Sequence, residues 1–242
     1  MVIRENFLEQ SMLYLVLPFR MTKFYRAVFF DMDGLFVDSE PMWLKAEAEL
    51  MASHGYEWTQ EDQNYCFGGP LSKVGQYMCD KVNTNQSAQY FTDEVISLMT
   101  KKLSAGAPLM PGALELLNDL KHNDIPTALV SASPRVLVDA VLRSVPDHSF
   151  SFSLSADDVV NPKPDPEAYL KAAERFDANI KDCLILEDSP NGVRAATASG
   201  AFTIAVPHFV EILPKERLRV INSLQEIDFS KLHAIYAQDR SI

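Results

Sequence analysis

The sequence contains few cysteines and few basic residues. Its three cysteines, Cys66, Cys79 and Cys183, are scattered and form no CxxC pair. This indicates reduced thiols in a cytoplasmic protein and argues against a disulfide framework or a zinc site. Only 22 lysines and arginines oppose 33 acidic residues, so the formal net charge is -11. That balance argues against a nucleic-acid or membrane-surface binder, but lysines and a divalent cation can still make one pocket positive.

The N-terminal region lacks a segment of membrane-spanning length. Its apolar run from Met12 to Leu17 ends at Pro18 and is far shorter than the roughly 20 residues that cross a bilayer. The region also lacks a strong basic stretch and an A-x-A-like cleavage site, which argues against a signal peptide. Because a strand-like pattern follows Met21 closely, we interpret residues 1–20 as an extension or an upstream start-codon artefact.

Short apolar runs without polar alternation recur along the rest of the chain. They cover residues 26–30, 127–130, 152–154, 183–186 and 202–206. Such runs are typical of parallel strands that are covered on both faces. Helical patterns lie between them, at 113–122, after Ser133-Pro134, after Asp165-Pro166 and at 191–199. This alternation predicts an α/β fold with a doubly wound, Rossmann-like parallel sheet, which binds ligands at the carboxyl ends of its strands.

The alternation of strands and helices stops between residues 39 and 103. Helical patterns at 41–53, 71–81 and 92–103 follow one another there without a convincing strand. We interpret this block as an inserted, all-helical cap domain. The predicted division is therefore an extension at 1–20, a catalytic core at 21–38 and 104–242, and a cap at 39–103.

Two carboxylates follow the first predicted strand directly. Asp31 and Asp33 flank Met32 and precede Gly34, which allows a sharp turn of the backbone. At a strand end, one such carboxylate can attack or bind a metal while the other transfers a proton. The same D-x-D-G pattern also occurs in ordinary turns and calcium loops, so this segment alone leaves both interpretations open.

Further polar residues are predicted at the same edge of the sheet. Ser131 follows the second strand, Lys163 lies in a proline-rich loop after the third, and Glu187 and Asp188 follow the fourth. Each alone has an ordinary structural explanation as a turn residue, a surface lysine or a helix cap. Together they predict a cluster of carboxylates that needs a cation, and hard oxygen ligands suit Mg²⁺.

These segments resemble the four motifs of the haloacid dehalogenase superfamily. The four occur in order, as residues 31–41, 129–133, 163–166 and 186–192, and the resemblance covers nearly everything from Met21 to about Val206. The helical insert after the first motif is similar to the cap of the subgroup that contains sugar-phosphate phosphatases and β-phosphoglucomutase.

The resemblance implies a role for each of the matching residues. Asp31 would attack phosphorus and form an aspartyl phosphate, and Asp33 would act as the general acid and base. Lys163 would pair with Asp31 and the phosphate, while the Ser131 hydroxyl and the backbone N–H of Ala132 would hold the phosphoryl oxygens. Such positioning and charge neutralisation are what phosphoryl transfer needs.

The resemblance also implies a Mg²⁺ cofactor. The Asp31 carboxylate, the Asp33 carbonyl and Asp188 would hold it, with help from Glu187. We therefore expect an enzyme, a phosphoric monoester hydrolase that acts on a small phosphorylated metabolite such as a sugar phosphate. As partners we expect this substrate, neither nucleic acid nor membrane, and a monomeric protein.

A phosphosugar mutase of the β-phosphoglucomutase type is the alternative. Asp33 favours phosphate esters, since the dehalogenases and phosphonatases of the superfamily lack an aspartate there. The mutase pattern has a histidine where this chain has Trp43, and its cap-loop arginine has no evident match in residues 67–73. Gly68 and Lys73 of that loop are predicted to contact the substrate, but Lys73 is a doubtful substitute for the arginine, so hydrolysis is favoured. A catalytically inactive module is a third possibility.

Overall fold

The computed structural model describes residues 24–66, 68–208 and 210–239, so the predicted extension at 1–20 lies outside the described residues. The described part contains a six-stranded parallel sheet in the order β3-β2-β1-β4-β5-β6. Its strands are β1 Val28–Phe30, β2 Thr127–Val130, β3 Phe152–Leu154, β4 Leu184–Glu187, β5 Phe202–Ala205 and β6 Leu218–Val220. The predicted α/β fold class is confirmed.

Strand β1 lies at the centre of the sheet, between β2 and β4. Phe30 pairs with Leu129 on one side and with Leu186 on the other. The chain proceeds from β1 outward through β2 and β3 and then returns to form β4 on the opposite side of β1. This reversal opens a crevice at the carboxyl ends of β1 and β4, where open α/β sheets bind ligands.

Helices cover both faces of the sheet, and four of them form the insert between β1 and β2. The insert contains α1 Glu40–Ser53, α2 Gln60–Cys66, α3 Leu71–Lys81 and α4 Ala88–Ala105. The helices after it are α5 Ala113–His122, α6 Arg135–Ser144, α7 Glu167–Arg175, α8 Pro190–Ser199 and α9 Phe229–Asp239. Short 3-10 turns lie at Ala156–Asp158, Ile180–Asp182 and Leu224–Glu226.

The side chains of β1 alternate between two hydrophobic layers, which explains why the strand reads as a continuous apolar run. Phe30 belongs to a large cluster that also contains residues of α5, α6 and the insert. Phe29 points the other way, against Tyr169 and the alanines of α7 and α8. Both faces are therefore buried, as expected for a parallel sheet.

The last helix of the insert packs against the rest of the molecule. Helix α4 packs against α1 and α3 and also against α6, which lies beside the sheet. Within the described residues between 40 and 105, no strand interrupts the four helices. The division of the chain into a core and a cap at 39–103 stays a prediction.

Several details differ from the sequence-based expectations. A Ser-Pro pair predicts serine as the N-cap and proline as the first helical residue, but helix α6 begins at Arg135 with Pro134, and not Ser133, as its N-cap. Strand β4 extends through Glu187, so this acidic residue ends the strand and does not follow it. Helix α2, strand β6 and helix α9 were not predicted. No helix in the described ranges is both long and apolar enough to span a membrane.

Candidate active site

The ammonium group of Lys163 connects three strand ends. Its Nζ atom lies 2.5 Å from Asp31 Oδ1, 2.8 Å from the Val130 carbonyl and 2.7 Å from Glu187 Oε1. Only 4% of the lysine side chain is exposed. A buried ammonium that donates to two carboxylates makes strong, charge-assisted hydrogen bonds. The loop after β3 therefore delivers a cation to the carboxyl ends of β1, β2 and β4.

Tyr169 of α7 completes the environment of this lysine. Its hydroxyl donates to Glu187 Oε1 at 2.6 Å, and Lys163 Nζ lies 4.8 Å from the centre of its ring. Burial and then the charge of Glu187 raise the pKa of Tyr169 well above its usual value, so the hydroxyl remains a donor. The sequence-based prediction of the site did not include Tyr169. A buried tyrosine hydroxyl usually needs a partner, and this is the only signal that pointed to it.

Three buried carboxylates surround this one ammonium group. Oxygen atoms of Asp31, Glu187 and Asp188 all lie within 4.8 Å of one another. Burial and then Glu187 raise the pKa of Asp31 to about 8, while Lys163 opposes the shift. Burial lowers the pKa of Lys163, but the charges of Asp31 and Glu187 outweigh it and the net shift is upward. Three negative charges and one positive charge leave the ionised cluster short of two positive charges.

Asp188 is the carboxylate best suited to a metal ion. Burial and then the charge of Asp31 raise its pKa well above the usual range, and its buried Oδ1 atom has no hydrogen-bond partner. Gly34, at φ +80°, approaches so closely that an added Cβ would lie 2.2 Å from Asp188 Oδ2. The oxygen-rich donor set, the unpartnered oxygen and the missing charge all fit a divalent cation such as Mg²⁺.

Glu187 is less available for a metal than Asp188. Lys163 and Tyr169 both donate to its Oε1, and the Ser189 hydroxyl lies 3.4 Å from Oε2. Helix α8 also packs tightly against the carboxylate, since a Cβ at Gly192 would lie 1.9 Å from its oxygens. The structure therefore surrounds Glu187 with partners that fix its position.

Asp33 lies beside this cluster and is held by two hydroxyl groups. Ser39 donates to its Oδ1 and Ser133 donates to its Oδ2, each at 2.7 Å. Ser39 comes just before helix α1 of the insert, and Ser133 is the last residue of the second motif. The sequence-based prediction of the site did not include the bonds from these two serines to Asp33. Two fixed donors orient the carboxylate, as a proton-transfer group requires.

The predicted phosphate-binding residues lie at the end of β2. Ser131 is buried, its backbone N–H donates to the Leu154 carbonyl, and its hydroxyl accepts from the Ser133 N–H at 2.9 Å. Ala132 is exposed in the turn between them. The structure thus brings Ser131 and Ala132 to the same sheet edge as Asp31.

The two predicted residues of the cap loop are placed differently. The Gly68 carbonyl accepts a hydrogen bond from the Asn191 side chain at 3.1 Å, which connects this loop to the start of α8 at the site. Lys73 instead donates to the Tyr65 carbonyl at 3.3 Å and lies 4.3 Å above the Tyr65 ring. The loop therefore reaches the sheet edge, while the Lys73 ammonium is bound within the insert.

Comparison with known proteins agrees with this arrangement of residues. Residues 28–206 match the haloacid dehalogenase-like hydrolase family, which is most of the chain. The chain belongs to the haloacid dehalogenase-like hydrolases. The superfamily assignment from the four motifs and the prediction of a hydrolytic enzyme are confirmed.

Curated relatives among these hydrolases include several phosphatases. The chain is 34% identical over 188 residues to a probable pseudouridine-5'-phosphatase of Drosophila melanogaster, with 74% of this chain and 80% of that protein covered. It is 33% identical over 184 residues to hexitol phosphatase B of Escherichia coli K12, with 75% and 83% covered.

Solved structures of similar fold include two at low sequence identity. CbbY from Rhodobacter sphaeroides, in complex with phosphate, has a TM-score of 0.75 at 23% identity and covers 86% of this chain and 99% of its own. β-Phosphoglucomutase from Clostridium difficile has a TM-score of 0.74 at 21% identity and covers 90% and 100%. These two structures show the shared fold and do not distinguish between activities.

Proposed function

We propose that this protein is a Mg²⁺-dependent phosphatase that hydrolyses a small phosphorylated metabolite, a sugar phosphate or similar compound, through an aspartyl phosphate on Asp31. The observation that carries this proposal is the 2.5 Å contact between Lys163 and Asp31 inside a cluster that lacks two positive charges. The phosphatases among its relatives support the same class of reaction.

Asp31 is the proposed nucleophile because it directly follows the central strand and is held by a single cation. Lys163 fixes one carboxylate oxygen and reduces the repulsion between this anion and an incoming phosphate. Held by Asp31, Asp188 and the Asp33 carbonyl, Mg²⁺ would supply charge neutralisation and orientation for the phosphoryl group. Glu187 and Tyr169 position the lysine from the opposite side.

Asp33 is the proposed proton carrier of both half-reactions. In the first it protonates the leaving alcohol oxygen, and in the second it deprotonates the water that hydrolyses the aspartyl phosphate. Ser39 and Ser133 keep its carboxylate oriented for both steps. The Ser131 hydroxyl and the Ala132 N–H hold the phosphoryl oxygens at the end of β2.

The mutase alternative receives less support from the structure. A mutase must hold a second phosphate. Lys73, the one basic residue of the sequence 67–73, lies in the first turn of α3 and is bound to Tyr65. Trp43, at the place of the mutase histidine, packs against the hydrophobic core. We therefore favour transfer to water by a monomeric cytoplasmic enzyme whose residues 39–103 form a cap over a core of 21–38 and 104–242.

An assay with p-nitrophenyl phosphate tests this proposal. We expect hydrolysis in the presence of Mg²⁺, loss of activity in EDTA, and recovery when Mg²⁺ is restored. Asp31→Asn should lose at least about 10⁴-fold in kcat, as expected for removal of a nucleophile, while its circular dichroism stays unchanged. The proposal would be contradicted if folded wild-type protein showed no Mg²⁺-dependent hydrolysis of p-nitrophenyl phosphate or of any sugar phosphate.

A further inference from the structure

A cavity of about 860 Å³ lies next to Asp33, between the insert and the sheet edge. Its position follows from the chain, since Ser39 binds Asp33 and both neighbours of Ser39, Asp38 and Glu40, line the cavity. Helix α2 contributes Gln63 to the opposite part of the lining. The volume is in the range of small-molecule sites, and one hydrogen bond, from Ser39, connects the proton-transfer group to the segment that lines it.

The cavity lining is rich in hydrogen-bonding groups but poor in positive charge. Among the described residues, it contains two carboxylates, three side-chain amides and one imidazole, and neither lysine nor arginine. The amides belong to Gln60, Gln63 and Asn64, and the imidazole to His208. Amides and carboxylates offer the donors and acceptors that hydroxyl groups need, but a second phosphate or a carboxylate would find no cation to bind.

Several carboxyl groups lie close to Glu40. Burial, followed by the charges of Asp33 and Asp38, raises the pKa of Glu40 to about 7. Glu47 lies two turns further along α1 and is 97% buried, with an unpartnered Oε2. Burial and then Glu40 raise its pKa to about 8. Above about pH 7, where Glu40 is ionised, a further anion in this cavity would be repelled by the Glu40 carboxylate.

Gln63 is held in a defined orientation in the cavity lining. Its side chain is buried, and its Oε1 accepts a hydrogen bond from the Trp58 indole N–H at 3.1 Å. This contact occupies the amide oxygen, so the NH₂ group is the donor end. One of its two hydrogens is directed to Glu47, and the other can serve a hydroxyl group of a ligand. Because Gln63 and Glu40 line the same cavity, this donor and the Glu40 acceptor form a suitable pair for the hydroxyl groups of a sugar or polyol.

We propose that this cavity receives the alcohol part of the substrate and selects a neutral, hydroxyl-rich group with a single phosphate, with Glu40 and Gln63 as the residues that determine specificity. The inference rests on the proposed phosphatase function, because the phosphate itself must lie at the strand-end cluster, which consists of Asp31, Lys163, Glu187 and Asp188. Specificity arises from repulsion as well as attraction: hydroxyl groups find partners, and a second anion meets uncompensated carboxylates.

A matched pair of substrates tests the charge selection. Sorbitol 6-phosphate and 6-phosphogluconate differ at the end remote from the phosphate, where one has a hydroxymethyl group and the other a carboxylate. At pH 8 we expect the wild-type kcat/KM to favour sorbitol 6-phosphate by at least about tenfold, the effect of one nearby like charge. Glu40→Gln should reduce this preference several-fold. Glu49→Gln, the same change on the exposed face of α1, should leave it unchanged.

A second variant tests the hydrogen-bonding role. Gln63→Ala should raise the KM for sorbitol 6-phosphate by about tenfold, the effect of one lost hydrogen bond, with a small change in kcat. The KM for acetyl phosphate, whose leaving group is the small acetate ion, should change much less. Gln89→Ala on the exposed surface of α4 is the control. A loss of the same size for acetyl phosphate would show that Gln63 acts only through structure and would overturn its assignment.

The outcomes separate the specificity inference from the proposed function. If wild-type protein hydrolyses acetyl phosphate but has the same kcat/KM for the two six-carbon substrates, the specificity inference is wrong and the phosphatase function stands. If Glu40→Gln leaves the wild-type preference intact, Glu40 does not determine it. If none of the three compounds is hydrolysed in the presence of Mg²⁺, the proposed function and the inference that rests on it both fail.

Discussion

Asp62 in the insert and Asp188 at the sheet edge are both buried aspartates, but their surroundings differ. Asp62 accepts hydrogen bonds from the Thr59 backbone and hydroxyl, from the Tyr77 hydroxyl at 2.7 Å, and forms an ion pair with Lys81 at 3.1 Å. Asp188 has a buried oxygen without any hydrogen-bond partner. One carboxylate is fully satisfied by its own fold, and the other is not.

The pKa shifts of the two aspartates have opposite signs. Burial raises the pKa of Asp62, but its hydrogen bonds from Thr59, Tyr77 and Lys81 outweigh this and the net shift is downward. Burial and neighbouring carboxylates raise the pKa of Asp188. A buried acid that stabilises the fold is therefore one with enough donors, whereas a buried acid that lacks them marks a place prepared for a ligand.

Among the changes that test the difference between these two regions, removal of the cation of the strand-end cluster should have the largest effect on activity and stability. Lys163→Met should lower kcat by about 10³-fold, since it removes charge stabilisation of the phosphoryl group. It should also lower the free energy of unfolding by about 3 kcal/mol, because Asp31 and Glu187 lose their shared partner. Steady-state kinetics and urea denaturation measure the two effects.

A matched lysine in the insert provides the control for that experiment. Lys102 pairs with Glu49 at the surface, at 2.6 Å, and exposed pairs of this kind contribute about 0–1 kcal/mol. Lys102→Met should therefore leave kcat unchanged. If Lys163→Met behaves in the same way, the buried lysine is not a functional cation.

Asp33 should show a smaller effect than Lys163, confined to catalysis. Asp33→Ala should slow turnover of a sugar phosphate by about 10²-fold, the usual range of general acid–base catalysis, while Mg²⁺ binding by calorimetry stays close to that of the wild type. Asp93→Ala, an exposed aspartate on α4, is the control for charge removal. Turnover near the wild-type rate would refute the proton-transfer role.

Asp62 should show the reverse pattern, with a loss of stability and little loss of activity. Asp62→Asn should lower the free energy of unfolding by about 2 kcal/mol at pH 7, because buried donors lose their charged acceptor, while kcat at low temperature is retained. Asp80→Asn, an exposed change nearby, should cost little. Chemical denaturation at several pH values measures these differences.

The pH dependence of the Asp62 effect has a definite sign. Its pKa is lower in the folded protein than the ordinary value of 3.8, so the stabilisation is complete above that value and is lost as the pH falls below it. The difference between wild type and Asp62→Asn should therefore shrink on acidification below about pH 4. A difference that grew at low pH would contradict the assigned environment.

The sheet was predictable from the sequence because a parallel strand between two helical layers is apolar throughout. Strands β2 and β3 were predicted with their observed bounds for this reason. Strand β6 was missed because it has three residues, two of them only partly buried and one of them Arg219. Helix α2 was missed because six of its seven residues, Gln60 to Tyr65, are not aliphatic and show no apolar stripe.

The position of the site was predictable for a related reason. In a parallel sheet the residues after each strand meet at one edge, so Asp31, Lys163 and Asp188 lie together without any knowledge of the helices. The bond from Tyr169 to Glu187 and the bond from Ser133 to Asp33 were not predictable, since they depend on side chains that only tertiary packing brings together. The direction of Lys73 toward Tyr65 depends on packing within the insert in the same way.

The most direct test of the whole account is to find the phosphoryl group on Asp31. Acetyl phosphate is a suitable phosphoryl donor because acetate leaves without needing a proton. The Asp33→Ala variant should therefore still be phosphorylated in the presence of Mg²⁺, but its aspartyl phosphate should be hydrolysed slowly. After quenching, reduction with borohydride and peptide mass spectrometry identify the modified residue. We predict modification at Asp31, and none there in a protein that also carries Asp31→Asn. The account would be contradicted if acetyl phosphate were turned over while the modification appeared on another residue or did not appear on Asp31.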